Sequence, residues 1–189
     1  MPLIKNQQND RIILEERVLP RDCASLIKEL EDPNPMSRRW AARDLADCHD
    51  ASSALVSRLT REDDISVREI ILTTLTNLGD NIAIAGLVDC LRSEDAELRN
   101  ESIEVMKQLP DEVAPIMRGL LHDQDSDVRI FAVNILESLR HQDVEAWLID
   151  VINNDLNVNV CATALDLLVE VGSKLSEDPL KSLKIRFAE

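Results

Sequence analysis

An all-α protein made of repeated helical hairpins is what this sequence predicts, and three observations carry the prediction. Arg38, Arg68, Arg99 and Arg129, with Cys161 in the same register, recur at spacings of 30, 31, 30 and 32 residues. Small or apolar residues follow each of them three, seven and ten positions later. The composition suits helices packed through aliphatic side chains, being 44% hydrophobic with only 2% aromatic residues and four glycines. A fixed period of this length marks a stacked array of units that cannot bury their apolar faces alone.

Residues 1–20 are the least regular part. Asn9 or Asp10 caps a predicted short helix carrying Ile12, Ile13, Leu14 and Val18, which Pro20 interrupts. It would act as a leader or as a cap over the first unit. The repeats then run from residue 21 to 175. Each opens with a short apolar helix, around Leu26–Leu30, Leu55–Leu59, Leu87–Leu91, Met117–Leu121 and Leu148–Ile152. Acidic or amide-rich turns follow, at Glu31-Asp32-Pro33-Asn34-Pro35, Glu62-Asp63-Asp64, Ser93-Glu94-Asp95, Asp123-Gln124-Asp125 and Asn153-Asn154-Asp155, whose Asp, Asn and Ser residues are the candidate caps. Their side chains suit the start of a helix, where backbone N–H groups lack partners and the dipole favours negative charge.

The second helix of each unit carries a stripe at positions 0, 3, 7 and 10, one face of a 3.6-residue helix. Position 3 reads Ala41, Ile71, Ser102, Ala132 and Ala164; position 7 reads Leu45, Leu75, Met106, Leu136 and Leu168. Position 10 reads Cys48, Leu78, Leu109, Leu139 and Val171. Gly79 and Gly172 follow two of these helices, where a left-handed cap needs no Cβ. The recurring arginines, with Asp64, Asp95 and Asp125 four residues ahead, suggest a ladder of Asp–Arg contacts between neighbouring turns. It lapses in the last unit, where Cys161 and Asn157 stand. Residues 176–189 form a predicted capping helix, with Leu180, Leu183 and Phe187 on one stripe and Asp178-Pro179 as its start.

Asp-x-Asp-Val-Arg-x-x-Ala-x-x-x-Leu, as it stands from Asp125 to Leu136, resembles the HEAT repeats of the phycobilisome-lyase-like type. Pro115 inside a first helix also occurs in that family. The resemblance implies a right-handed alpha-solenoid of about five HEAT-type hairpins, with second helices lining the concave side.

The formal charge of −15 argues against nucleic acid, whose binding rests on Lys and Arg at phosphates, and against anionic membrane surfaces. No apolar run approaches the roughly 20 residues that span a bilayer. The first residues lack the apolar region of a signal peptide, and Cys23, Cys48, Cys90 and Cys161 contain no CxxC pair. Reduced, buried cysteines and a cytoplasmic location are therefore expected. His49, His122 and His141 are isolated, and a zinc site takes three or four ligands. HEAT-type deoxyhypusine hydroxylases use His-Glu pairs and HEAT-type DNA glycosylases a basic face with aromatics; neither signature occurs here, and Trp40 and Trp147 read as core. No catalytic, cofactor-binding or metal-binding residue is expected, and no cofactor.

What remains is a surface. Positions 1, 5 and 9 of the second helices lie opposite the buried stripe. They supply Arg39, Arg43, Glu69, Thr73, Asn77, Asn100, Glu104, Ile130 and Asn134 as expected partner-binding residues. Arg38, Arg39 and Arg43 form the compact basic cluster, and Ile130 is the exposed apolar residue of the face. Concave faces of repeat arrays are their usual contact surfaces, so the expected function is a non-catalytic adaptor or regulatory scaffold binding a protein partner. The family resemblance implies an alternative, an accessory subunit of a chromophore-lyase-like or chaperone-like complex.

Overall fold

The computed structural model describes residues 21–139 and 141–187. The helix expected within residues 1–20 lies outside them. The described residues are helical with no strand. In chain order the helices are α1 Cys23–Glu29, α2 Pro35–Asp44, α3 Ser52–Leu59, α4 Ile65–Leu78, α5 Asn81–Cys90 and α6 Ala96–Lys107. They continue as α7 Pro110–Leu120, α8 Ser126–Leu136, α9 Val144–Asn154, α10 Val158–Val171 and α11 Glu177–Arg186. Five hairpins result, with odd-numbered first helices and even-numbered second helices, followed by α11.

Each second helix starts where the sequence places a short polar side chain. Asn34, Asp64, Asp95, Asp125 and Asn157 each accept a backbone N–H from the first turn of the helix they precede. Such a cap contributes about 1 kcal/mol. Gly79 ends α4 in the left-handed region at φ 55°. Gly172 corrects the expectation: it is extended, at φ −70° and ψ 149°. Its lack of a Cβ still matters there, because a Cβ would come within 2.4 Å of the Leu168 carbonyl oxygen.

The stripe is buried as expected. Position 3 is fully buried in all five units, and position 7 is at most 2% exposed. Ser102 sits there without penalty because its hydroxyl donates to the Leu98 carbonyl at 2.8 Å. Position 10 is less uniform: Leu78 is half-buried and Val171 is 45% exposed. Trp40 and Trp147 are half-buried instead of interior; Trp147 stacks on His141 with ring centroids 5.0 Å apart.

Second helices pack one on the next without interruption from α2 to α10. First helices touch less evenly, α3 on α5 on α7, and then α9 on α11. The second helices therefore form the more continuous of the two layers. Between α3 and α5 the approach is close at Gly86, where a Cβ would lie 2.4 Å from Val56 Cγ2. Alanine normally gains up to about 1 kcal/mol over glycine inside a helix. Against a stiff β-branched neighbour, overpacking costs about 1–3 kcal/mol and wins. Gly86→Ala therefore lowers stability to urea. Gly119→Ala, with nothing within 4 Å of its Cβ, raises it.

One expectation is overturned outright. Cys23 and Cys48 form a disulfide with Cα atoms 5.9 Å apart, closing the first hairpin on itself. Cys48 sits at position 10 of the stripe, which faces the first helix of its own unit, and Cys23 opens that helix. Cys90 and Cys161 are buried and free, and burial raises both thiol pKa values. Disulfides persist in oxidising compartments, so the cytoplasmic expectation loses the support of reduced cysteines. Among the described residues no helix is long and apolar enough to cross a membrane.

Candidate interaction face

The recurring arginines belong to the scaffold. Each reaches back to a carbonyl six residues earlier: Arg38 to Asp32, Arg68 to Glu62, Arg99 to Ser93 and Arg129 to Asp123. Cys161 keeps the same register, its thiol donating to the Asp155 carbonyl at 3.4 Å. The guanidinium ties the turn to its own helix, and in Arg38, Arg68 and Arg129 it also meets a carboxylate of the following unit.

That carboxylate varies. Arg38 pairs with buried Glu62 through Nε and Nη2 at 2.8 and 2.7 Å. Arg68 meets Asp95 at 3.0 Å, with Glu97 and Glu101 each at 3.7 Å. Arg129 holds Asp155 through Nε and Nη2 at 2.6 and 3.0 Å. Arg99 meets no carboxylate among the described residues, and Asp123 in the next unit pairs instead with Arg92. The expected Asp–Arg ladder is thus realised by Asp95 alone of the three aspartates named. Asp64 and Asp125 put their carboxylates on backbone N–H groups of their own helices.

Burial raises the Glu62 pKa, but hydrogen bonds from Arg38, Arg58 and the Asp64 N–H outweigh it and hold the group at about 2. Asp155 is lowered in the same manner, Arg129 and the Asn157 N–H outweighing burial. Burial raises the Glu101 pKa against the opposing Arg68 charge. These shifts arise from packing between units.

Arg39, Arg43, Glu69, Thr73, Asn77, Asn100 and Glu104 are all exposed on the second helices, as expected. The basic cluster does not survive as one group. Arg38 is buried on Glu62, and Arg43 lies on Asp44 at 3.0 Å. Asp44 also receives Arg21 at 2.8 Å. Arg39 makes no ion pair among the described residues. Ile130 needs correction as well: it is half-buried and packs against the apolar core. Burying an aliphatic side chain is favourable, so an isolated isoleucine on this face folds inward.

Asn134 is half-buried too, and lines a depression of about 230 Å³ between α8 and α10. Glu137, Asp166 and Glu170 surround it. Thr73 and Gln108 satisfy themselves on the carbonyls of Glu69 and Glu104, and Lys107 bridges Glu104 and Glu137 at 3.1 and 3.2 Å. The face therefore runs from arginine at its first unit to carboxylates at its last.

Sequence reasoning missed a second set of contacts between units, on the ends of the first helices. Arg61 pairs with Glu31, Arg92 with Asp123, and His122 Nε2 lies 3.1 Å from Asp150. These partners stand 28 to 31 residues apart, so the repeat period was the signal that pointed to them.

Residues 23–107 match a family model described as HEAT repeats, which spans α1 to α6. No curated protein matches the sequence. Among solved structures, the chain is similar to the complex of CpcE and CpcF of phycocyanin lyase from Nostoc sp. PCC7120. The identity is 17%, over 89% of this chain and 86% of that one, with a TM-score of 0.41. Two engineered proteins are similar at 20% and 19% identity, with TM-scores of 0.36 and 0.38. This chain is covered to 88% in both, and the engineered chains to 95% and 97%.

Proposed function

We propose that the chain is a non-catalytic interaction module that binds a protein partner along the inner face of its second helices. One observation carries the reading. Positions 1 and 5 stay largely exposed and change from unit to unit, while the residues that recur are consumed in stacking. Side chains held in register on a rigid array, and free of a structural duty, are what a binding surface requires. The grading of charge favours a polypeptide whose acidic end meets Arg39 and Arg43, and whose basic end meets Asp166 and Glu170.

The reading is tested by affinity purification of the intact protein beside Arg39→Glu with Arg43→Glu. Both sites are exposed, so the double variant keeps its fold, which circular dichroism checks. The partner recovered with the natural sequence is expected to bind the variant roughly ten-fold more weakly, with a reduced dependence on salt. Recovery of the same partners at the same strength overturns it.

A further inference from the structure

At the far end of the described stack lies a surface built by the same rules as the interior but not covered by any described residue. Position 4 of each second helix shows this best. Ala42, Leu72, Ile103 and Val133 are buried, at 0, 5, 6 and 1% exposure. The next second helix covers them; in the first pair, Thr74 of α4 donates its hydroxyl to the Ala42 carbonyl at 2.9 Å. Leu165 occupies the same position in the fifth unit and is only half-buried.

Helix α11 packs on α9 as one first helix packs on another. Together α10 and α11 form an apolar trough of about 460 Å³, lined by Val158, Ala162, Leu165, Leu180, Leu183 and Phe187. Its open side leaves Val158 54% and Phe187 36% exposed. Inside the array this seat, between a second helix and the following first helix, is always taken by a second helix.

The charges specify the occupant further. In a chain of formal charge −15, Lys181, Lys184 and Arg186 gather on α11, and Lys184 borders the trough. The Arg186 guanidinium lies 3.2 Å from the thiol sulfur of Cys161, the residue that stands in the arginine register. It donates there to the carbonyls of Ile152 and Asn153 at 2.6 and 2.7 Å. An arginine from α11 thus brings a guanidinium beside the position that Cys161 leaves without one, on the Ile152 and Asn153 carbonyls instead of the Asp155 carbonyl that the Cys161 thiol holds. Arg38, Arg68 and Arg129 each receive a carboxylate from the unit that follows; Arg186 has none among the described residues.

We infer that this trough is a docking site for an amphipathic helix of a partner protein, one with an aliphatic stripe and a carboxylate at or just before its first turn. The helix takes the seat of a sixth second helix, its stripe on Leu165 and Phe187, its carboxylate on Arg186. The trough adjoins the inner face at Ala162, and the variants that test one reading leave the residues of the other unchanged, so the two are tested independently.

The test uses two fluorescein-labelled synthetic helical peptides with the same leucine stripe, one with Asp and Glu in its first turn and one with Lys there. Fluorescence anisotropy with the intact protein is expected to show the acidic peptide binding about ten-fold more tightly than the basic one. Leu165→Asp, and separately Phe187→Asp at the more open rim, should each weaken the acidic peptide by about ten-fold. Lys184→Glu with Arg186→Glu should abolish the preference between peptides. Phe187→Asp is the variant that cannot be dismissed as misfolded, provided its circular dichroism matches the parent. Equal binding of both peptides, or binding indifferent to Phe187→Asp, overturns the inference. So does a concentration-dependent dimer in sedimentation that Phe187→Asp dissolves, since the occupant is then a second copy.

Discussion

Replacing Glu62 with alanine is expected to lower the unfolding free energy by about 3–5 kcal/mol, measured by urea unfolding near neutral pH. The carboxylate is fully buried and receives Arg38 through two hydrogen bonds and Arg58 through one at 2.8 Å. It also accepts the Asp64 N–H at 3.0 Å, which holds the turn before α4. Its removal leaves Arg38, itself only 8% exposed, as a buried charge without a counterion. That penalty is larger than the net worth of the intact pair, because desolvation of the arginine persists after its partner has gone.

The same group sets a pH dependence. Glu62 is held at about 2 in the folded chain against an ordinary value of 4.5. A lowered carboxyl pKa contributes stability above the unfolded value, and that contribution is lost as pH falls through the folded value. The window is therefore pH 4.5 down to about 2, across which the natural chain gives up about 3 kcal/mol that the alanine variant never had. Parallel urea titrations across the window should show the two stabilities converging as the solution is acidified. A gap of constant size would remove Glu62 as its source.

Ile71→Ala is expected to cost about 2–5 kcal/mol, and Ile71→Val about 0.5–1.5 kcal/mol. Ile71 is fully buried at position 3 of α4, where Ala41, Ala132 and Ala164 stand in other units. The unit holding it has been packed around a larger side chain, and truncation leaves a cavity that neighbours on both sides cannot close. Thermal unfolding of both variants checks the size dependence. If Ile71→Ala proves as mild as Ile71→Val, the site collapses freely and the packing argument fails there.

Much of this architecture was legible in the sequence because it depends on local chemistry repeated many times. The caps at Asn34, Asp64, Asp95, Asp125 and Asn157 depend only on a short polar side chain beside unpaired N–H groups. The stripe at positions 3 and 7 depends only on helical period. The inner face was legible as positions, with Arg39 and Glu69 exposed where expected, but not as charges. Arg43 turned out paired with Asp44, and Ile130 turned inward.

The sequence by itself determined the period, the hairpins, the capped starts and the buried stripe, since each follows from interactions within about one helical turn. Tertiary structure decided which carboxylate meets which arginine. Glu62 displaces Asp64 at Arg38, and Asp123 goes to Arg92 and leaves Arg99 without a carboxylate, because shifts of a few ångströms between units change which group is in reach. It also joined Cys23 to Cys48 across 25 residues, and brought Arg186 beside the position that Cys161 leaves without a guanidinium. Such contacts link residues far apart in the chain, and only the closure of one helix on another brings them within hydrogen-bonding or covalent range.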